Sequence, residues 1–197
     1  SVQEVKGHYL LVEAAKKVVH IYPDVIFLIV AGGVGSEYRN SWKGRVKKML
    51  GMVMDNLERM QRLIYREGIK QNFIFTGYRK DIPEILAASD VVTFIPQVAE
   101  GFGRPLIEAM AAGLPVVATD IGPTKEILGE DTGVLVRPGS SDDIANALIE
   151  FFNDPVKRHR LGKAGRERVK RHFNIRQHVS KISEVYQNVL RENKQNS

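Results

Sequence analysis

Short, uniformly apolar runs alternate along the chain with longer segments in which apolar residues recur every three or four positions. The runs cover residues 25–31, 73–75, 91–95, 115–118 and 133–136. Such runs are typical of parallel strands that are buried on both faces, and the segments between them have the period of amphipathic helices. The alternation predicts an α/β fold: a Rossmann-like parallel sheet with helices on both faces.

Residues with strong preferences at helix ends set the expected helix boundaries. Gly68 is expected to end a long helix that begins near Trp42, and Asp81 to cap the helix after it. Either Ser141 or Asp142 is expected to cap a later helix, because both residue types accept hydrogen bonds from the first free N–H groups.

The loop after the third apolar run carries the candidate chemistry, since such sheets bind ligands at the carboxyl ends of their strands. Glu100, Gly101 and Gly103 precede Pro105, a residue typical of the first helical turn. The glycines leave backbone N–H groups uncovered at the positive end of that helix, which suits a diphosphate. Glu108 lies about one turn further along, so two carboxylates flank the anion site. A nucleotide sugar has the matching order of sugar hydroxyls, diphosphate and ribose hydroxyls.

The segment from Glu100 to Glu108 resembles the paired-glutamate signature of retaining glycosyltransferases of the GT-B fold. It is most similar to glycosyltransferase family 4 (group 1 glycosyl transferases), which includes sucrose synthases, bacterial glycogen synthases and lipopolysaccharide mannosyltransferases. The resemblance extends from about Val5 to Val189, and its motifs follow the family order: Lys6-Gly7, Gly32-Gly33, Phe75-Thr-Gly77, Glu100–Glu108, Gly113–Ala118, Glu126 and Gly133–Val136.

The resemblance implies a role for each residue of the central segment. Glu100 accepts hydrogen bonds from hydroxyls of the transferred sugar, and we assign it to the catalytic centre as a positioning group. Gly101, Phe102 and Gly103 donate backbone N–H groups around the sugar and diphosphate. Glu108 holds the ribose hydroxyls.

Three further residues match family positions around the nucleotide. Lys6 corresponds to one of the two cations that neutralise the diphosphate; the other is an arginine on a preceding strand that this chain lacks. Gly33 lies in a turn that either admits close approach to the ligand or simply ends a strand. Arg79 lies where the family contacts the base through backbone atoms.

The chain departs from the family pattern in three places. Pro96-Gln97 stands where the family often has Pro-Ser, and Gly122-Pro123 replaces the paired glycines before Glu126. Pro123 removes one backbone donor from that loop. The segment at 35–68 is a long, basic insertion for which the sequence assigns no role.

The resemblance also implies how the reaction proceeds. Helix-terminal N–H groups and a lysine stabilise the departing diphosphate without a metal, so neither a metal nor a cofactor is expected. The expected partners are a nucleotide sugar and an N-terminal acceptor domain of the same protein. We divide the chain into a sheet domain at 1–154 and a helical extension at 155–192, and expect it to bind nucleotide sugar weakly and to catalyse little alone.

Composition excludes several other classes of protein. The 197 residues contain no cysteine, and no two of the five histidines have the i, i+4 spacing of a helical metal site. The net charge of +6 is concentrated at 157–171, a pattern typical of a solvated helix face, with peripheral contact to an anionic membrane as the alternative. No aromatic residues interleave these charges, so nucleic acid is not an expected partner. We expect a cytoplasmic protein.

Two alternatives remain open at the level of the sequence. The first is an epimerase or a phosphorylase of the same architecture, for which histidine and extra carboxylates, or a cofactor lysine, would be expected. The second is a non-catalytic scaffold that retains the nucleotide-sugar site. Intact Glu100 and Glu108 favour the transferase.

Overall fold

The computed structural model describes residues 4–31 and 56–195. In this part of the chain the helices are α1 (His8–Ile21), α2 (Asn56–Arg66), α3 (Ile82–Ala87), α4 (Arg104–Ala111), α5 (Thr124–Leu128), α6 (Ser141–Asn153), α7 (Pro155–His172) and α8 (Ile175–Gln195). The strands are β1 (Phe27–Ile29), β2 (Phe73–Phe75), β3 (Val92–Phe94), β4 (Val116–Thr119) and β5 (Val134–Val136), and 3-10 turns cover Glu4–Lys6 and Lys70–Asn72. Each of the five apolar runs therefore contains a strand.

Every strand pair in the described residues is parallel, as predicted. β1 pairs with β2, with Phe27 opposite Phe73, and the second sheet has the order β3-β4-β5, with Val92 opposite Val116. The expected single sheet thus consists of two hydrogen-bonded parts. The chain crosses from one part to the other through α3, and helices connect all of these parallel strands, as parallel pairing requires.

Helices cover both faces of the second sheet, and β4 lies between them. Val117 belongs to one apolar cluster together with buried residues of α1, α2 and α6. Its neighbours Val116 and Ala118 belong to a second cluster with α4 and α5. All four residues of β4 are buried, because successive side chains of a strand point to opposite faces and both are covered here. The Rossmann-like fold class is confirmed.

The expectation that the first strand is buried on both faces is wrong. Phe27 and Ile29 pack in the cluster with α1, whereas Leu28 is 38% exposed and Ile74 beside it is 48% exposed. The cluster formed by α4 and α5 includes residues of β3 and β4 but none of β1 or β2. The opposite face of the first sheet is therefore only partly covered by the described helices.

The observed helix ends correct two predicted caps. Ser140, not Ser141 or Asp142, caps α6 by accepting a hydrogen bond from the Asp143 N–H at 3.1 Å. Asp81 occupies the N-cap position of α3, but its side chain makes no cap hydrogen bond.

Gly68 ends α2 as predicted. Its φ is +73°, and the N–H of Ile69 bonds back to the carbonyl of Ile64 at 3.2 Å. The expected start of this helix near Trp42 lies outside the described residues.

The two C-terminal helices differ in how they pack. α7 lies on α4 and α6, and a Cβ added to Gly162 would lie 2.1 Å from the carbonyl oxygen of Gly113. Glycine at 162 therefore permits direct backbone contact with the turn after α4. Along α8 the residues from 175 to 191 are exposed, including Ile175, Val185 and Tyr186.

Candidate functional site

The loop between β3 and α4 presents uncovered backbone donors at a helix start. None of the hydrogen bonds of the described residues uses the N–H groups of Gly101, Phe102 or Gly103. Gly101 and Phe102 are exposed, Gly103 is buried, and α4 begins at Arg104 immediately after Gly103. Since the first N–H groups of a helix lack partners within it and carry partial positive charge, the loop is suited to an anion.

Gly103 turns the chain sharply into α4. It has φ +61° and ψ 40°, in the left-handed region. A Cβ at this position would lie 3.3 Å from Cδ1 of Ile127 and 3.6 Å from the ring of Phe94. Glycine is thus favoured by both conformation and space, and it holds the preceding N–H groups at the surface.

Lys6 and Glu100 form an ion pair between two distant parts of the chain. Lys6 Nζ donates to Oε1 of Glu100 although 94 positions separate the two residues. The side chains are 40% and 21% exposed, respectively. The structure therefore joins the residue predicted to bind the diphosphate and the residue predicted to bind the sugar in one ion pair.

Close backbone packing brings Lys6 to this position. The carbonyl of Val5 accepts a hydrogen bond from the N–H of Gln97 at 2.7 Å. Gly7 has φ +75°, and a Cβ there would lie 2.0 Å from the carbonyl oxygen of Ile95. Only a glycine can approach the end of β3 this closely, so Lys6-Gly7 acts as one structural unit.

Gln97 is a structural residue of this site whose role the sequence did not indicate. Its Nε2 donates to the carbonyl of Ile95 at 2.9 Å, and its Oε1 accepts from the N–H of Gly139 at 2.9 Å. Together with the backbone bond to Val5, Gln97 links the segment before α1, the end of β3 and the turn after β5. The available signal was a polar side chain three residues after the end of β3, where the family often has a smaller one.

Glu108 lies exposed on α4 and is paired with a residue that the sequence analysis did not single out. Arg104 NH2 lies 3.6 Å from Oε1 of Glu108, with the two side chains 81% and 44% exposed. The i, i+4 spacing of these opposite charges was the signal that would have indicated the pair. Both charges are accessible from solvent at the start of the helix.

The loop after β4 packs behind Glu100. Gly122 has φ +55°, and a Cβ there would lie 2.9 Å from Cβ of Ala99. Glu126 follows on α5 and is exposed, while its carbonyl oxygen accepts a hydrogen bond of 2.6 Å from Arg168. The change from paired glycines to Gly122-Pro123 therefore leaves the contact with the glutamate loop in place.

The loop after β5 is held by Arg137 and Asp143. Arg137 Nε donates to Asp143 Oδ2 at 2.7 Å, and Arg137 NH2 donates to Oδ1 at 2.8 Å. These bonds hold the pKa of Asp143 well below its ordinary value, with a smaller contribution from the Ser140 hydroxyl. The pair fixes the turn that presents the Gly139 N–H to Gln97.

Arg79 is engaged with Asp81, which explains why Asp81 makes no cap bond. Arg79 Nε donates to Asp81 Oδ1 at 2.8 Å, and its NH2 group contacts the other carboxylate oxygen. This pairing raises the pKa of Arg79 and lowers that of Asp81. Gly33 lies outside the described residues, as do residues 35–55 of the insertion.

Two clefts in the described residues lie away from the glutamate loop. One, of about 660 Å³, lies between the α5–β5 connection and α7, where Asp131 and Arg171 face it. The other, of about 560 Å³, lies between α2 and β2. The loop from Glu100 to Gly103 lines neither of these two clefts.

The sequence model of the family described as "Glycosyl transferases group 1" matches residues 1–168. The chain belongs to the group 1 glycosyl transferases. Within this group it is similar to the UDP-Gal:alpha-D-GlcNAc-diphosphoundecaprenol alpha-1,3-galactosyltransferase of Escherichia coli, with 29% identity over 184 residues, which cover 92% of this chain and 42% of the relative. The chain spans less than half the length of the curated relatives it matches.

Two solved structures have the same architecture. The Anabaena protein HepE in complex with UDP and glucose superposes with a TM-score of 0.79 at 25% identity, covering 94% of this chain and 46% of that one. The C-terminal domain of the group 1 glycosyl transferase LpcC from Francisella tularensis superposes with a TM-score of 0.71 at 26% identity, covering 88% of this chain and 83% of that domain. The resemblance to group 1 glycosyl transferases of the GT-B fold that the motifs predicted is confirmed.

Two negative findings apply to the described part of this group 1 chain. None of its helices has both the length and the apolar character that crossing a membrane would require. No three side chains of the His, Cys, Asp or Glu type gather there as a metal site would need.

Proposed function

We propose that this chain is the donor-binding part of a retaining glycosyltransferase that moves a hexose from a nucleotide sugar to a glycan, a glycolipid or a small acceptor. The observation that carries the proposal is the loop from Glu100 to Gly103. Its N–H groups have no partner within the described residues, Gly101 and Phe102 are exposed just before α4, and Glu100 and Glu108 flank the segment along the chain. Family membership and the HepE complex with UDP and glucose support a nucleotide sugar as the ligand.

Each group has a chemical task in this proposal. Glu100 orients the transferred sugar through its hydroxyls, and the N–H groups of Gly101, Phe102 and Gly103 hold the diphosphate. Lys6 adds a positive charge, and Glu108 accepts hydrogen bonds from the ribose. Arg79 would lie beside the base, with its side chain already engaged by Asp81. Gly33 belongs to the same proposal as a close-approach turn.

The leaving group determines what the site must stabilise. Negative charge develops on the departing diphosphate, and fixed N–H dipoles together with a lysine stabilise that charge without a metal or another cofactor. The configuration at the anomeric carbon is retained, and the incoming hydroxyl is assisted by the departing phosphate itself. Glu100 therefore positions the sugar and forms no covalent bond to it.

The acceptor side of the proposal lies outside this chain. An N-terminal domain would supply the acceptor surface, so the isolated chain is expected to bind the donor weakly and to transfer little or no sugar. The name of the E. coli relative describes a lipid-diphosphate acceptor, and the basic residues of α7 would suit a peripheral contact with an anionic membrane from the cytoplasmic side. Nucleic acid has no place in this function.

Ribose recognition by Glu108 gives the sharpest test. Calorimetric titration of the chain with UDP, GDP and ADP sugars identifies the preferred base. Glu108→Gln should then weaken binding about tenfold, because hydrogen bonds to a charged acceptor contribute roughly 1.5–3 kcal/mol. The 2′-deoxy form of the preferred nucleotide should bind weakly to the unaltered chain, and the variant, whose amide oxygen is a neutral acceptor, should distinguish it from the ribose form less well.

A remote carboxylate serves as the control. Glu184 lies exposed on α8, so Glu184→Gln should leave the affinity for each nucleotide unchanged. Equal affinity of the unaltered chain for the deoxy and ribose forms would show that Glu108 does not bind the ribose. Absence of binding to every nucleotide sugar at millimolar concentration would contradict the donor-site proposal itself.

A further inference from the structure

From the Lys6–Glu100 ion pair we infer that the site discriminates between an intact nucleotide sugar and the nucleoside diphosphate left after transfer. The inference rests on the proposed function, in which Lys6 binds the diphosphate and Glu100 binds the sugar. In the structure these two groups bind each other. The Lys6 ammonium has three donors, so a ligand that draws Lys6 onto its phosphates weakens the contact with Glu100 by competing for the same cation.

The two ligands differ in what they offer Glu100 once the pair is broken. An intact nucleotide sugar offers phosphate oxygens to Lys6 and hydroxyl donors to Glu100, so both members gain new partners. A nucleoside diphosphate offers oxygens to Lys6 but no hydroxyl near Glu100. The carboxylate, whose side chain is 21% exposed, then faces the added negative charge of the phosphates without a cation of its own. The ion pair thus disfavours binding of the nucleoside diphosphate more than binding of the nucleotide sugar.

The structure supports a pair that is firmly positioned yet breakable. Val5 is hydrogen-bonded to Gln97, and Gly7 packs against Ile95, so the backbone on both sides of Lys6 is fixed. The Lys6 side chain is 40% exposed, and its flexible stem can turn toward a phosphate without backbone movement. A pair of this exposure is worth a few-fold in an equilibrium constant, enough to speed product release without blocking donor binding.

Glu100→Gln tests this directly. The amide keeps an acceptor oxygen for sugar hydroxyls but loses the charge that holds Lys6. Titration with UDP and UDP-glucose, and with GDP and GDP-mannose, should show the nucleoside diphosphate binding about two- to fivefold more tightly than to the unaltered chain. The nucleotide sugar should show no such gain, so the ratio of the two affinities shifts toward the diphosphate.

A second variant separates the ion pair from general electrostatics, since removing any nearby negative charge favours an anion. In a Lys6→Met background the pair is absent, and Glu100→Gln should then tighten UDP or GDP binding less than it does with Lys6 present, because only the repulsion between the carboxylate and the phosphates is left to relieve. The remote change Glu184→Gln should have none. Thermal unfolding of each variant identifies any that has lost its fold.

The outcomes distinguish the inference from the function on which it rests. If the unaltered chain binds nucleotide sugars but Glu100→Gln leaves diphosphate affinity the same or lower, the inference is wrong and the donor site stands. If Glu100→Gln tightens diphosphate binding equally with and without Lys6, general electrostatics is the cause and the inference is again wrong. If no nucleotide binds, the proposed function fails and the inference fails with it.

Discussion

The side-chain oxygen of Gln97 accepts a hydrogen bond of 2.9 Å from the backbone N–H of Gly139, 42 positions away. The same side chain donates to the carbonyl of Ile95, and the Gln97 N–H donates to Val5. One residue thereby connects the end of β3, the segment that carries Lys6 and the turn after β5. The placement of Lys6 beside Glu100 depends on this set of bonds.

Gln97→Ala should lower both stability and ligand affinity. Two side-chain hydrogen bonds are lost, and we expect the free energy of unfolding to fall by about 1 kcal/mol. Urea unfolding measures that loss. Gln97→Glu is the matched variant, because it keeps an acceptor for Gly139 but has no donor for Ile95. If both variants unfold at the same midpoint urea concentration as the unaltered chain, these hydrogen bonds contribute nothing to stability.

Alanine at Gly103 and at Gly101 should have different consequences for the fold. Gly103 is left-handed with Ile127 and Phe94 beside it, so Gly103→Ala should cost about 1–2 kcal/mol of stability. A Cβ at Gly101 would meet no atom within 4 Å, and Gly101→Ala should change stability by less than about 0.5 kcal/mol. Denaturant unfolding of the two variants provides the comparison. A larger loss for Gly101→Ala would contradict the described loop conformation.

The Arg137–Asp143 pair should make stability depend on pH in the acid range. The ordinary pKa of Asp143 is near 3.8, and Arg137 lowers the pKa in the folded chain. A lowered folded-state pKa contributes stability that is complete above the unfolded-state pKa and is lost as the pH falls through the folded-state pKa. Asp143→Asn should therefore be less stable than the unaltered chain at pH 7. The difference between their free energies of unfolding should become smaller below about pH 4.

The paired change gives the control for this prediction. Arg137→Gln removes the cause of the lowered pKa. The difference in free energy of unfolding between this variant and the unaltered chain should become smaller in the same way in urea unfolding series from pH 7 to pH 3.5. A gap between Asp143→Asn and the unaltered chain that stays constant with pH would mean that the pair does not lower the pKa of Asp143.

The strands and the glutamate loop were predictable because each depends on local patterns. Apolar runs marked each of the five strands that the described residues form, and the glycines around Phe102 indicated a turn into a helix. The left-handed φ of Gly103 agrees with that interpretation. Caps were less certain, since adjacent Ser140, Ser141 and Asp142 all have capping side chains and only the backbone conformation decides among them.

Long-range relations were beyond the sequence. The contact of Lys6 with Glu100 depends on how the segment before α1 passes the end of β3, and no spacing in the chain encodes that. The exposure of Leu28 depends in the same way on which helices cover the first sheet. An apolar run indicates a strand, but it does not indicate how much of each face the neighbouring helices reach.

The division of the strands into two parts has a practical consequence for work with this chain. In the described residues β1 has only β2, and β3 only β4, as a hydrogen-bonded neighbour. A strand bonded on one side becomes a template for association between molecules wherever its other side is accessible. Dilution series run alongside the titrations will show whether self-association contributes to the binding signal.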